Sequence, residues 1–348
     1  MNYIKVLLLF ICMLSSSGIV QASIPKSSDQ AIRLIGRFQP VENNALAFTW
    51  PGSAFEFRFY GTKASIPLAA TERLRFIVKV DDKESDLWVE GPFKSYTLAS
   101  NLPLGEHEIR VTRVTESFTA VSSVQPEPSV DGKLLETPPA PARKILAIGD
   151  SITAGYGIEG PDNACGYSKE TSNQLLTYVA LAAEKFNADL HAIAWSGIGA
   201  WRSYGEETPN SPTILERYKR TLADDATAHW NGDDYRPDVI TILIGTNDYW
   251  TGSVTEEYRD GVTALVEEVR STYPEQPIYL IVSPMLVADV RQHHKQELEK
   301  VRFNNLKVID LGKIEPQDGY GCHWHPNIIT NKRMAKNLVK VLQQDLEW

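Results

Sequence analysis

The sequence predicts two domains: an all-β sandwich, followed by an α/β domain built on a parallel sheet. Three observations support this fold class. Short alternating segments fill the chain up to about residue 125, a proline-rich stretch covers residues 126–142, and apolar runs then alternate with helical patterns. A chain of 348 residues with 43% hydrophobic residues is long enough to bury two cores.

Residues 1–22 have the layout of a cleavable secretory signal. Lys5 precedes an apolar run at residues 6–14, and small residues lead to a cleavage site after Ala22. The apolar run is shorter than the roughly 20 residues that a membrane-spanning helix needs. We therefore expect export to the periplasm or the medium, and no membrane contact once the signal has been removed.

Cysteines and charge limit the partners of the mature chain. Cys165 and Cys322 remain after signal cleavage, and such an even pair can form a disulfide in an oxidising compartment, with two separate buried thiols as the alternative. A net charge of -9 without a concentrated basic tract argues against a nucleic-acid partner. The sequence leaves the oligomeric state open.

The first domain is assigned to residues 28–125. Residues 45–50, 55–60 and 74–80 alternate apolar with polar side chains and are rich in aromatic and β-branched types, which is typical of strands with one buried face. Turn signals such as Pro51-Gly52-Ser53 separate these segments. Together they predict a β-sandwich of roughly a hundred residues.

The proline-rich stretch at 126–142 predicts an extended linker, and the second domain follows at residues 143–348. Strands are expected at its five apolar runs, which are residues 145–148, 190–194, 239–244, 278–282 and 308–311. A helix is expected over residues 175–186, and another begins at Ser253. Alternation of strand and helix predicts a doubly wound parallel sheet, whose sites lie beyond the carboxyl ends of the strands.

Polar motifs stand at those strand ends. Gly149-Asp150-Ser151 follows the first run, Ser196-Gly197 the second and Asn247 the third, while His325 lies in a histidine-rich segment near the end of the chain. Taken alone, the motif around Ser151 fits a turn with a helix cap equally well. Because all these motifs occupy strand or helix boundaries, a shared site is the better interpretation.

In this order, the motifs resemble the sequence blocks of the SGNH or GDSL hydrolases. The resemblance implies a nucleophilic Ser151 activated by His325 as general base, without a cofactor. It also implies an oxyanion hole formed by the N–H groups of Ser151 and Gly197 and by the side-chain amide of Asn247. The second domain would then have the flavodoxin-like, five-stranded fold of that superfamily.

Further features narrow the resemblance to carbohydrate esterase family 2. They are the preceding β-domain, the segment Gly-Asp-Ser-Ile-Thr-Ala-Gly-Tyr-Gly that starts at Gly149, and Gly-Cys-His-Trp-His-Pro-Asn, which starts at Gly321. This resemblance implies a jelly-roll first domain and a carboxylic ester hydrolase that removes acetyl groups from plant polysaccharides such as xylan or glucomannan. The particular polysaccharide and the acetylated hydroxyl are left open.

The group that orients His325 differs from the common pattern. Many SGNH hydrolases carry an aspartate three residues before the histidine, where this chain has Cys322, and family 2 commonly has an aspartate where this chain has His323. We therefore expect a Ser151–His325 dyad. A backbone carbonyl can hold the imidazole, with Asp318 or Asp310 as alternatives from elsewhere in the chain.

Trp250 and Trp324 adjoin the motifs and are candidates to contact a sugar ring, with ordinary packing as the alternative. Cys322, His323 and His325 could also be zinc ligands, but no second cluster supports a metal site, and none is expected. His293 and His294 lie in a charged helical stretch, which predicts that both are solvated.

Two alternative functions fit the same sequence pattern. They are a GDSL lipase or lysophospholipase and a catalytically weak carbohydrate-binding protein.

Overall fold

The computed structural model describes residues 31–252, 254 and 256–348. The predicted signal at residues 1–22 lies outside them. Within the described residues, an antiparallel sheet is followed by a parallel α/β unit.

The antiparallel sheet contains ten strands in the described part of the chain. They are β1 (Arg33–Ile35), β2 (Gln39–Val41), β3 (Ala45–Phe48), β4 (Ala54–Gly61), β5 (Ala64–Val80), β6 (Lys83–Ala99), β7 (Gly105–Arg113), β8 (Ser122–Val124), β9 (Ser129–Val130) and β10 (Lys133–Leu134). Their order is β1-β4-β7-β5-β8-β3-β2, with β10 beside β4 and with β6 and β9 beside β5.

Strand β5 curls the sheet around its core. Its C-terminal part pairs with β7 and its N-terminal part with β8, and the register with β6 shifts between Leu68 and Leu74. Such irregularities bend a strand and increase its twist. The enclosed core is rich in phenylalanine, and this confirms the predicted all-β domain.

Two of these strands lie in the stretch that the sequence predicts as a linker. β9 pairs with Ala64 and Ser65 of β5, and β10 pairs with Phe59 and Tyr60 of β4. The first part of residues 126–142 is therefore hydrogen-bonded to the β-sheet.

The parallel sheet has the order β12-β11-β13-β14-β15, and all of its pairings are parallel. Its strands are β11 (Arg143–Gly149), β12 (Ala188–Ala194), β13 (Val239–Leu243), β14 (Ile278–Ile281) and β15 (Leu306–Ile309). Its helices are α1 (Ser151–Ala154), α2 (Tyr178–Lys185), α3 (Ile214–Tyr218), α4 (Glu256–Thr272), α5 (Ala288–Leu298) and α6 (Ile328–Leu346). This strand order, 2-1-3-4-5, is the predicted flavodoxin-like one.

The helix expected over residues 175–186 is divided. A short 3-10 helix covers Gln174–Leu176, and α2 begins only at Tyr178. Thr177 separates them because its backbone is extended and its side chain accepts a hydrogen bond from the N–H of Ala180, which caps α2.

The β-domain is joined to the α/β domain by buried polar contacts. Arg33 bridges Glu56 of its own domain and Asp189 of β12, at 2.6 Å from each. The Arg37 guanidinium donates to the backbone carbonyls of Tyr218 and Arg220. These contacts fix the β-domain against the parallel sheet.

Among the described residues, no helix combines the length and the apolar character needed to cross a membrane.

Candidate active site

Ser151 lies at the carboxyl end of β11, where it begins α1. The preceding Asp150 caps this short helix by accepting a hydrogen bond from the N–H of Ile152. Ser151 is 4% exposed, so its hydroxyl lies in a largely dry environment. The strand therefore delivers a buried hydroxyl to the edge of the sheet where ligands bind in this fold class.

The strand order brings the other predicted residues to the same edge. Because β12 and β13 are the two neighbours of β11, the loops that carry Gly197 and Asn247 lie on either side of the Ser151 turn. The N–H of Trp195 also donates to the carbonyl of Gly149, which connects the β12 loop directly to the Ser151 turn.

His325 comes from the segment before α6 and meets Ser151 directly. Its Nε2 lies 2.8 Å from Ser151 Oγ, and its Nδ1 lies 3.0 Å and 3.1 Å from the carbonyl oxygens of Cys322 and His323. A carbonyl oxygen can only accept, so Nδ1 must carry the proton. Nε2 is therefore the free acceptor, which is the tautomer needed to take the proton of Ser151.

Burial keeps His325 in its neutral form. Desolvation lowers its pKa to about 4, the two backbone carbonyls act in the opposite direction, and nearby His323 lowers it further. The ring of Tyr156 stacks on the imidazole, with 4.4 Å between the ring centroids. Tyr156 was not singled out in the sequence, although it lies in the same motif as Ser151.

Neither aspartate considered as an orienting group lies against His325. Asp318 pairs with Arg333 at 2.6 Å, and Asp310 pairs with Arg291 at 2.6 Å. His323, at the position of the family aspartate, is hydrogen-bonded through Nδ1 to the hydroxyl of Tyr156 at 2.8 Å. The imidazole of His325 is thus oriented by backbone carbonyls.

A disulfide between Cys165 and Cys322 anchors the segment that carries His325. The N–H of His323 also donates to the carbonyl of Cys165. His323 and Trp324 both have left-handed backbones, with φ of 49° and 64°. Non-glycine residues in this conformation are strained by about 1–3 kcal/mol each, so the surrounding contacts must hold the segment in place.

Two of the three donors predicted for the oxyanion hole, Gly197 and Asn247, lie in loops that a hydrogen bond joins. Asn247 Nδ2 donates to the carbonyl of Ile198 at 2.8 Å, which leaves the second hydrogen of this amide for a ligand. Gly197 has φ of 82°, and a methyl group added to it would meet no atom within 4 Å. The space in front of the Gly197 backbone is therefore open to a substrate.

Buried Asp248 stabilises the β12 loop beyond Gly197. Its carboxylate accepts hydrogen bonds from the N–H groups of Ala200, Trp201 and Arg202. Desolvation raises its pKa, and these three donors act in the opposite direction. Asp248 therefore links the loop that carries Gly197 to the one that carries Asn247.

Exposed aromatic side chains flank the site. Trp324 is 57% exposed and contacts Tyr320, while Trp250 is 37% exposed and contacts Tyr204. Tyr204 is itself 69% exposed, and its N–H donates to the carbonyl of Gly197 at 2.8 Å. No periodic pattern marks Tyr204, because it lies in an irregular loop.

Two further expectations can be compared with the structure. The sulfur of Cys322 belongs to the disulfide, and the described residues include no group of three His, Cys, Asp or Glu side chains placed to hold a metal ion. The prediction that His294 is solvated is wrong. It is fully buried, and its Nε2 lies 2.8 Å from the hydroxyl of Tyr258. The charged neighbours of His294 on α5 made this segment resemble an exposed helix face in the sequence.

The chain matches two protein-family models, one in each domain. Residues 147–327 match the GDSL-like Lipase/Acylhydrolase family, which is the class that the parallel sheet and the Ser151 motif define. Residues 34–138 match the model described as Carbohydrate esterase 2 N-terminal.

Individual relatives cover nearly all of the described chain. Cellulase/esterase CelE of Acetivibrio thermocellus is 32% identical over 333 residues, which are 93% of this chain but only 40% of that relative. An acetylxylan esterase / glucomannan deacetylase of Cellvibrio japonicus is 26% identical over 322 residues, covering 88% of this chain and 87% of the relative.

A solved structure extends the similarity to three dimensions. A family two carbohydrate esterase from Clostridium thermocellum, in complex with cellohexaose, is 30% identical with a TM-score of 0.85, and the match covers 91% of this chain and 99% of that one. The present chain therefore belongs to carbohydrate esterase family 2.

Proposed function

We propose that this protein is an exported serine esterase that removes O-acetyl groups from plant cell-wall polysaccharides or their oligosaccharides. One observation carries the proposal: Ser151 Oγ lies 2.8 Å from His325 Nε2, while Nδ1 faces two backbone carbonyls. This is the geometry of a nucleophile with its general base, in which a third group fixes the tautomer.

Acylation follows from that geometry. Ser151 Oγ attacks the acetyl carbonyl carbon as its proton passes to His325 Nε2. The resulting imidazolium donates through Nδ1 to the carbonyls of Cys322 and His323, and through Nε2 it protonates the sugar oxygen that leaves. The acetyl group remains bonded to Ser151 Oγ as an acyl-enzyme.

The negative charge on the tetrahedral oxygen requires fixed donors. The N–H groups of Ser151 and Gly197 and the free hydrogen of the Asn247 amide supply them in this proposal. Water, deprotonated by His325, then attacks the acyl-enzyme and forms a second tetrahedral intermediate. Its bond to Ser151 Oγ breaks to release acetate, and His325 returns the proton to Ser151 Oγ. No metal or cofactor enters either step.

The aromatic side chains beside the site support a carbohydrate substrate. Trp324 and Tyr204 are exposed next to His325 and Gly197, where flat apolar faces can stack on pyranose rings. Relatives bear the names acetylxylan esterase and glucomannan deacetylase, and one solved relative is a complex with cellohexaose. Export is supported by the signal-like pattern of residues 1–22 and by the disulfide.

Acetate release from an aryl acetate, acetylated xylan and acetylated glucomannan tests the proposal. The wild type should release acetate from each acetyl ester, more slowly from longer acyl esters, and Ser151→Ala should abolish the reaction. Trp324→Ala should raise KM for the polysaccharides while leaving KM for the aryl acetate within about twofold, because only a sugar chain reaches this ring.

Failure would take one of two forms. No acetate release with retained binding of oligosaccharides would mean a carbohydrate-binding protein on an esterase scaffold. Faster hydrolysis of long acyl esters than of acetyl esters would instead indicate a lipase-type enzyme.

A further inference from the structure

Glu116 is a buried carboxyl that the β-domain contributes to the site. It lies in the loop of residues 114–121 between β7 and β8, and its side chain is 0% exposed. A carboxyl group placed so deeply loses its hydration and is costly unless it is paired or hydrogen-bonded. Its partners therefore indicate what it does.

The partner of Glu116 is Ser196, the residue directly before Gly197. Ser196 Oγ donates to Glu116 Oε1 at 2.5 Å, across the boundary between the two domains. The second carboxyl oxygen, Oε2, is buried and has no hydrogen-bond partner among the residues that the structure describes. One oxygen thus holds the turn that presents the Gly197 N–H to the substrate.

The 114–121 loop is itself firmly held. Arg113 is fully buried, and its guanidinium donates to the carbonyl of Glu116 and to Ser122 Oγ at 2.7 Å each. Ser117 Oγ donates to the carbonyl of Ala194 at 3.1 Å. Glu116 is consequently a fixed support and does not follow the movements of Ser196.

Titratable groups face Glu116 from several elements. Burial raises the pKa of Glu116 to about 7, whereas the hydrogen bonds from Ser196 and the charge of Arg113 act in the opposite direction, and Asp150 raises it further. Tyr156 and Tyr167 also interact with the Glu116 charge, since it contributes to raising the pKa of both phenols. Glu116 therefore lies close to both the Ser151 turn and the ring that stacks on His325.

We propose that Glu116 is a positioning residue for the esterase reaction: it holds Ser196 and thereby fixes the Gly197 N–H where the oxyanion forms. This inference rests on the proposed function. A contact between the two domains does not by itself require a carboxyl group at this position, because the neutral hydroxyl of Ser117 forms the neighbouring hydrogen bond to β12. A carboxyl oxygen can accept from Ser196 in both the protonated and the ionised form, and it does so more strongly when ionised.

The test compares Glu116→Ala, Glu116→Gln, Ser196→Ala and the double variant of Glu116→Ala with Ser196→Ala. Glu116→Ala should lower kcat about tenfold to a hundredfold, less than the loss of a whole oxyanion donor, with KM within about twofold. Glu116→Gln should restore kcat to within about threefold of the wild type, because its amide oxygen still accepts from Ser196.

The double variant identifies the route of the effect. Because Glu116 acts through Ser196, the double variant should be no slower than the slower of the two single variants. Thr49→Val is the matched control: it removes another buried hydrogen bond between the two domains, the one from the N–H of Ala223 to Thr49 Oγ1, and should leave kcat within about twofold. The rate at which a fluorophosphonate labels Ser151 should fall in parallel with kcat, because this reaction also forms an oxyanion-like centre.

A normal kcat in Glu116→Ala together with a lower melting temperature would show that Glu116 only stabilises the fold. This outcome would overturn the proposal. Additive losses in the double variant would overturn it as well. If Glu116→Ala does not fold, Ser196→Ala carries the test: it should lower kcat with KM within about twofold, and an unchanged kcat would overturn the proposal. If the wild type releases no acetate but is labelled at Ser151, the proposed function fails, and the labelling rates of the variants still decide the role of Glu116. If the wild type is not labelled at Ser151, both the proposed function and the proposed role of Glu116 are contradicted.

Discussion

The imidazole of His325, the proposed general base, is oriented without a carboxylate. Two backbone carbonyls fix the proton on Nδ1 and the lone pair on Nε2, which is the task that a carboxylate performs in a triad. Carbonyls carry only partial charge, so they stabilise the imidazolium less than a carboxylate would. Burial also disfavours the charged ring, and the base consequently remains neutral at acidic pH.

The pH dependence of kcat/KM should reflect this environment. Since burial lowers the pKa of His325 to about 4, we expect activity on an aryl acetate to persist from pH 7 to pH 5 and to be half lost near pH 4. With an ordinary histidine pKa of about 6.5, half of the activity would be lost about 2.5 pH units higher. Initial rates in buffers where the protein stays folded give the profile.

Asp310→Asn serves as the control for that profile. The Asp310 carboxylate is paired with Arg291 and not with His325, so its removal should leave the acidic limb in place. A wild-type midpoint between pH 6 and pH 7, or a shift of the limb in Asp310→Asn, would contradict the carbonyl-oriented base.

Glu116 should make the stability of the fold depend on pH. Its folded pKa of about 7 exceeds the roughly 4.3 of an unfolded glutamate, so the folded state binds more protons between these values. The stability is therefore complete below the unfolded pKa and is lost as the pH rises through 7. The melting temperature of Glu116→Gln relative to the wild type should rise between pH 5 and pH 8. A difference that is constant with pH, or that shrinks toward pH 8, would show that burial does not perturb this carboxyl.

At the level of secondary-structure elements, apolar runs were sufficient to predict the parallel strands. Strands buried on both faces consist of continuous apolar residues, and the motifs that follow them had to meet at one edge of the sheet. This predicted that Ser151, Gly197 and Asn247 lie close together, whereas the role of His325, which follows no parallel strand, was implied by the resemblance to the SGNH hydrolases. Glu116 and Tyr204 could not be named from the sequence, because they lie in irregular loops and reach the site only through the packing of one loop on another.

Long-range pairing also decided elements that local patterns could not. β9 and β10 are two-residue strands in a proline-rich stretch, and they exist because β4 and β5 offer unpaired edges. His294 faces inward because its Nε2 is within hydrogen-bond distance of the hydroxyl of Tyr258 and the carbonyl of Ile244. Neither partner is adjacent to it in sequence.

The disulfide anchors the segment that carries His325. Replacing both Cys165 and Cys322 by alanine should lower the free energy of unfolding by about 2–5 kcal/mol, because the bond closes a long loop. It should also lower kcat, since the carbonyl of Cys322 orients His325 and the carbonyl of Cys165 holds His323. Denaturant unfolding and kinetics check both. Full activity in the double variant would show that the strained backbone is held by other contacts.

At the scale of the whole molecule, the two domains share their buried polar groups. Thr49 Oγ1 of the β-domain accepts from the N–H of Ala223, and the Nε2 of His191 in β12 accepts from the N–H of Gly36. Because these groups are buried at the domain boundary, separating the domains would leave them to be solvated or unpaired. The boundary thus resembles the interior of a single domain.

We therefore expect both domains to unfold in one thermal transition. Scanning calorimetry should show a single peak whose calorimetric and van't Hoff enthalpies agree. Arg33→Ala should lower the melting temperature markedly, because it leaves Asp189 and Glu56 buried without the guanidinium between them. Arg58→Ala, which removes an exposed pair with Glu106 inside the β-domain, should shift it by no more than a degree or so, as such pairs contribute about 0–1 kcal/mol. Two separate peaks in the wild type would mean that the domains fold independently. The contact of Glu116 with Ser196 across the domain boundary would then be a loose one.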